Sequence, residues 1–258
     1  MTIEWLDEER FRVGDLVFRY TQDYTAVTND EEVIILKERP FVEFYIALLE
    51  RERPKHLLEV GFYEGGSALL WAMLFPDMRI TAIDFRPVNP TVERLATRFP
   101  NLELRYGVSQ DDAEALASIA APNMIIDDAS HDYATTRRTF ELLFPRLARG
   151  EKYVIEDWGW GHWPNWGDKW ADMPLLSNLI IELTIATASS SEWIERLEAD
   201  FRTAIVTRGK MKGPLSLDAL WNVRGRSPSL EPAPMIEAPA PPPSFKARLA
   251  AVFLPPKT

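Results

Sequence analysis

The sequence predicts an α/β fold, a doubly wound parallel sheet with helices on both faces. Three observations carry the prediction. Between His56 and Glu156, short apolar runs alternate five times with helix-length segments, the pattern of strand–helix–strand units. The first run opens into a glycine-bearing turn, Gly61-Phe62-Tyr63-Glu64-Gly65-Gly66-Ser67. Three runs end in acids: Asp84, Asp127-Asp128 and Glu156-Asp157. Right-handed crossovers place helices on both faces. In open sheets of this kind ligands bind at the carboxyl ends of the strands.

In chain order, residues 1–37 are polar with scattered aromatics (Trp5, Phe11, Phe18, Tyr20, Tyr24) and read as an N-terminal arm, either a short strand pair or a cover over a ligand. Phe41, Phe44, Tyr45, Leu48 and Leu49 fall at helical spacing, with Pro40 in the first turn and Pro54 as the stop. Strands follow at His56–Gly61, Arg79–Asp84, Leu102–Tyr106, Met124–Asp127 and Tyr153–Glu156. Helices lie between them at Ala68–Phe75, Asn89–Phe99, Gln110–Ala120 (capped by Ser109 or Asp111) and Thr135–Leu147. Asp157 to Met173 holds five of the nine tryptophans among glycines and a proline, which predicts a loop. Leu175–Ala188 and Glu192–Phe201 read as helices. Thr203–Thr207 and Ala219–Val223 read as short closing strands, with Lys210–Pro214 as the turn. The main domain spans 38–226. Residues 227–258 form a proline-rich linker ending in a short amphipathic piece, Ser244–Leu254.

Composition narrows the function classes. The net charge of −10 argues against nucleic acid and anionic membrane as partners. The absence of cysteine excludes disulfides, thiol nucleophiles and thiolate metal sites. The first residues are acidic and lack the apolar core of a secretory signal. No apolar run approaches the ~18 residues of a membrane span. A cytoplasmic protein is expected.

The acidic strand ends should meet on one rim with His131 beside them. There they would either cap the following helices and face solvent, or hold a hard cation such as Mg²⁺. Tyr63 stands where a dinucleotide fingerprint needs its second glycine. The turn therefore suits a nucleoside with a less bulky, cationic attachment, with Glu59 or Glu64 supplying negative charge. Asp84, at the end of the next strand, is placed to accept ribose hydroxyls. The turn at Ser109-Gln110 is placed to border a base. His56 opens the first strand at the opposite rim and reads as structural or exposed.

Glu59-x-Gly61-x-x-x-Gly65-Gly66-Ser67, the strand-ending Asp84, Asp127-Asp128-Ala129-Ser130-His131 and Glu156-Asp157 together resemble the class I S-adenosylmethionine-dependent methyltransferases. Within them the chain is similar to the metal-dependent sugar O-methyltransferases of antibiotic biosynthesis, the mycinamicin-type macrolide deoxysugar enzymes and the cephalosporin hydroxylase-like group, over roughly residues 40–225. The resemblance implies a Rossmann-like class I methyltransferase sheet and two cofactors, S-adenosylmethionine and Mg²⁺. It implies Asp128, Glu156 and Asp157 as metal ligands and His131 as the base that deprotonates a metal-bound hydroxyl. Glu59, Gly61, Tyr63, Gly66, Ser67, Asp84, Ser109, Gln110 and Asp127 fall to the cofactor. Trp158, Trp160, His162 and Trp163 fall to a small glycosylated acceptor, with His162 the rival base. A homo-oligomer is expected. Two departures stand out. Ala129 replaces the family's usual glycine, and residues 1–37 stand where the macrolide enzymes carry a larger N-terminal auxiliary domain. The alternatives are an O-methyltransferase for a catechol-like diol, or a non-catalytic nucleoside-binding partner protein.

Overall fold

In the computed structural model, residues 1–163 and 173–220 are described. The proline-rich stretch, Ser244–Leu254, Trp166 and Trp170 lie outside them. Seven strands form the main sheet: β5 (His56–Val60), β6 (Arg79–Asp84), β7 (Leu102–Tyr106), β8 (Met124–Asp127), β9 (Lys152–Glu156), β10 (Ile194–Ala199) and β11 (Thr203–Arg208). Their spatial order is β10-β11-β9-β8-β5-β6-β7. The strands from β5 to β9 pair in parallel, as the alternation predicts. Their buried apolar faces separate two cores, one centred on Leu57, Leu69, Trp71 and Ile126, the other on Val60, Phe140, Phe144 and Tyr153.

The far edge departs from expectation. Glu192–Phe201 is not a helix; most of it is β10, antiparallel to β11, which is antiparallel to β9. The sheet is therefore mixed. Ile-Glu-Arg-Leu-Glu-Ala is rich in helix formers, yet the ladder with buried β11 overrides that propensity. Asp200 closes the hairpin by accepting the Arg202 and Thr203 amides. The predicted strand at Ala219–Val223 is also corrected: Leu217–Leu220 is a helical turn, and 221–223 lie outside the described residues. The helix Ala113–Ser118 is capped by Asp112, one residue beyond the predicted cap.

The arm is a sheet of its own: β1 (Ile3–Trp5), β2 (Arg10–Val13), β3 (Leu16–Tyr20) and β4 (Val33–Ile35). It packs Phe11, Phe18, Val33 and Ile35 into the first core. Helix α1 (Arg39–Glu52) follows it, and helix α2 (Gly66–Leu74) follows β5. At Gly66, an added Cβ would lie 2.2 Å from the Ile34 carbonyl oxygen and 2.8 Å from the Ile35 Cα. Only glycine lets α2 approach β4 this closely. Glu64 ties the arm down further: it accepts the Thr28 amide and the Asn89 side chain and pairs with Arg86.

In an exposed helix, Gly→Ala stabilises by about 1 kcal/mol. At Gly66 the overlap with backbone dominates, and Gly66→Ala should destabilise by about 1–3 kcal/mol and open residues 20–37 to limited proteolysis. Denaturant unfolding measures the first effect, and a gain in stability would contradict this packing.

Candidate active site

The carboxyl ends of β5, β6, β8 and β9 and the arm enclose a cavity of about 800 Å³. At the glycine turn, Gly61 has φ +89°, and a Cβ there would strike the Asp128 carbonyl at 2.2 Å. The turn after β5 thus touches the loop after β8. Tyr63 takes φ +49°, so this non-glycine residue adopts the left-handed conformation that glycine usually supplies. The Phe62 and Tyr63 amides donate to Asp84 Oδ2 (3.0 and 2.8 Å), and the Arg86 amide donates to Oδ1 (2.8 Å). Asp84 faces the cavity, but much of its accepting capacity already anchors the turn. The Tyr63 ring stacks under the Arg86 guanidinium, and its hydroxyl donates to the Tyr24 carbonyl of the arm.

Of the residues expected to meet a cofactor, Gly61, Tyr63, Gly66, Ser67, Asp84, Ser109 and Gln110 line the cavity. Gln110 also braces the β8 loop by accepting the Ser130 amide. Glu59 and Asp127 are not in the lining; both are buried in the sheet behind it. Tyr153 donates to Asp127 at 2.5 Å, and burial pushes the Asp127 carboxyl up to about 7. Burial likewise raises Glu59 to about 7, against the opposing pull of Lys37. Of its two expected readings, His56 takes the structural one: it is buried at the opposite rim and hydrogen-bonded to Thr81.

The acidic strand ends do converge. Asp128, His131 and Asp157 each offer a ligand atom within 4.8 Å of the others. His131 Nε2 lies 3.7 Å from Asp128 Oδ1. His131 (φ +53°) and Asp157 (φ +49°) both hold left-handed backbone. Such strain costs of order 1–3 kcal/mol per residue and clusters at functional sites. Ala129 is not among the positive-φ residues, so its replacement of glycine carries no such strain. The Trp160 indole donates to the His131 carbonyl and fixes that loop.

Glu156 sits differently from its expected place beside a metal. It is 1% exposed, and Lys37 Nζ donates to both of its oxygens (2.8 and 2.7 Å) and to Asp128 Oδ2 (2.6 Å). The Tyr45 hydroxyl adds a further bond to Glu156 Oε1 at 2.7 Å. Burial opposes the charge on Lys37, but Asp128, Glu156 and Glu59 outweigh it and keep the amine protonated. Burial and the neighbouring Asp128 push Asp157 upward. Sequence reasoning missed Lys37. The one local signal was a lone lysine closing the apolar run Val33-Ile34-Ile35-Leu36.

The tryptophan loop divides. Trp163 lines the cavity and stacks on Phe201. Trp158 donates to the Asp200 carbonyl, Trp160 is buried beneath His131, and the exposed His162 is bonded to Ser177. None of these three is in the lining. Phe85, next to Asp84, is 76% exposed over the cavity and was not anticipated.

Residues 58–158 match the family described as Methyltransf_24, a methyltransferase domain. The match takes in β5 to β9 and is to a methyltransferase domain over less than half of the chain. The chain is 34% identical over 139 residues to the 8-demethyl-8-(2-methoxy-alpha-L-rhamnosyl)-tetracenomycin-C 3'-O-methyltransferase of Streptomyces olivaceus, covering 50% of this chain and 34% of that protein. It is 33% identical over 128 residues to the mycinamicin VI 2''-O-methyltransferase of Micromonospora griseorubida, covering 45% and 30%. Among solved structures it superposes on the MycE methyltransferase in complex with Mg, SAH and mycinamycin VI. The TM-score is 0.54 at 25% identity, over 70% of this chain and 53% of that one. The matched region thus spans about a third of the curated relatives and about half of MycE. A Podospora anserina methyltransferase (TM-score 0.51, 15% identity, 67% of this chain and 80% of that one) shares the fold. The main sheet is that of the class I methyltransferases, Rossmann-like and mixed.

The buried Glu59 yields a pH prediction. Its folded pKa, about 7, lies above the ordinary 4.5. The folded state therefore holds a proton that the unfolded state releases, and stability falls as pH rises from about 4.5 to about 7, by up to about 3 kcal/mol. Glu59→Gln should flatten that slope and gain stability over the wild type at pH 8. Unfolding curves across this range measure it, and an unchanged slope would contradict the assignment.

Proposed function

We propose that this chain is an S-adenosylmethionine- and Mg²⁺-dependent O-methyltransferase acting on a sugar hydroxyl of a glycosylated natural product. The observation that carries the reading is the meeting of Asp128, His131 and Asp157 in the same cavity that the Asp84-anchored glycine turn lines. The similarity to sugar O-methyltransferases of antibiotic pathways supports the substrate class.

The donor set fits a hard divalent cation. Lys37 takes Asp128 Oδ2 and leaves Oδ1 beside His131, and among the described residues no donor reaches the Asp157 carboxylate. When bound, Mg²⁺ would supply Lewis acidity that lowers the pKa of the acceptor hydroxyl and orients it. Asp128 and Asp157 would hold it through oxygen. His131 stays outside, because Mg²⁺ prefers oxygen ligands, and its Nε2 takes the hydroxyl proton as general base. Bound S-adenosylmethionine would supply the methyl group, which would pass to the hydroxyl oxygen as the carbon–sulfur bond broke and its electron pair stayed on sulfur. Asp84 and the turn hold the nucleoside, Phe85 offers its ring to the base, and Trp163 offers an apolar wall to the sugar. Alignment in one cavity supplies much of the acceleration.

Methyl transfer from S-adenosylmethionine to a panel of glycosylated acceptors tests this. Chelation or Asp128→Ala should abolish turnover, and His131→Ala should lower it about 10²–10⁴-fold. Full activity in either variant would remove that residue from its role. Replacing Mg²⁺ with Zn²⁺ should inhibit, because zinc takes imidazole as a ligand and would capture His131. Equal rates with both metals would contradict the division between ligands and base.

A further inference from the structure

Lys37 places a fixed positive charge where a third carboxylate would be expected to meet the metal. Its three N–H groups go to three acceptors: Asp128 Oδ2 and both oxygens of Glu156. An ammonium has three donors and no more, so the group is fully engaged. Tyr45 occupies Glu156 Oε1 a second time. Both oxygens of Glu156 are therefore already held by Lys37, with only Oε2 keeping a spare lone pair, and Glu156 is the one expected ligand missing from the converged set. The lysine is not free to drift. It is 4% exposed and two residues beyond β4, whose backbone is pinned against Gly66. The same segment walls the cavity through Ile34, Ile35, Leu36 and Lys37.

We infer that Lys37 is a built-in cation that competes with the divalent metal for Asp128 and Glu156, so that metal binding is coupled to the seating of the N-terminal arm. The inference rests on the reading that Asp128 and Asp157 hold a metal. Two cations sharing carboxylates in a partly dry site repel each other strongly. Lys37 thus keeps the acids assembled before the metal arrives and weakens metal binding once it does. Coupling of this kind is reciprocal: if the seated lysine weakens the metal, the metal loosens the lysine and the strand that carries it.

The experiment is titration of the full chain with Mn²⁺ by calorimetry, for wild type, Lys37→Met and Lys37→Arg. Lys37→Met should bind Mn²⁺ about tenfold or more tightly than wild type. Its melting temperature without metal should fall and recover on Mn²⁺ addition by more than the wild-type shift. Lys37→Arg, which keeps the charge, should bind no more tightly than wild type. Wild type that binds Mn²⁺ with Lys37→Met no tighter would overturn the inference and leave the metal reading intact. Equal tightening in Lys37→Arg and Lys37→Met would overturn it too. Wild type and Lys37→Met both failing to bind would end the metal reading itself, whereas binding only by Lys37→Met would support the inference. Should Lys37→Met fail to fold, hydrogen exchange on the wild type decides. Saturating Mn²⁺ should speed exchange at residues 33–37, and unchanged or slower exchange there would overturn the coupling.

Discussion

A buried ammonium among carboxylates is the interaction on which this rim depends. Taking Lys37 and Glu156 out of water costs several kcal/mol for each ion. Three short hydrogen bonds from Nζ and one from Tyr45 offset that cost. The geometry admits little slack, so each element bearing a partner is fixed relative to the others: β4 through Lys37, α1 through Tyr45, the end of β8 through Asp128 and the end of β9 through Glu156. The arm is therefore joined to the sheet through the site itself. Gly66 and Glu64 make the same join a few residues away, by contact and by hydrogen bonds.

Within this frame the acids divide by environment. Glu59 and Asp127 lie behind the cavity wall, where burial favours their neutral forms. Asp84 spends its oxygens on three backbone amides and so makes the turn a preformed shape. Asp128 faces both ways, toward Lys37 and toward His131. Asp157 lines the cavity with a carboxylate that no donor among the described residues reaches. Of these five acids, only Asp128 and Asp157 are disposed to meet a cation from the cavity.

Much of this was legible in the sequence. The parallel strands are short apolar runs between helix-length segments, and their acidic ends identify the rim without reference to contacts. Asp128, His131 and Asp157 meet as the spacing suggests. The rest was hidden for physical reasons. β10 is written in helix-forming residues and becomes a strand only because β11 pairs with it. The arm strands, three to five residues each, are too short to show a period. Lys37 finds its partners 91 and 119 residues away, so no local pattern could announce it. Trp158, Trp160 and His162 follow the acids in sequence but are outside the cavity lining: Trp158 is held by the Asp200 carbonyl, and Trp160 and His162 lie in a 3₁₀ turn.

The central claim is that Asp128 and Asp157 hold a metal while His131 remains free beside it. Anomalous diffraction from crystals of the full chain grown with Mn²⁺ and S-adenosylhomocysteine tests it most directly. The account predicts one manganese peak within about 2.2 Å of an oxygen of Asp128 and of Asp157, with His131 Nε2 outside the coordination sphere and facing the cavity. A peak ligated by His131, or saturating manganese with no peak at this rim, would contradict it.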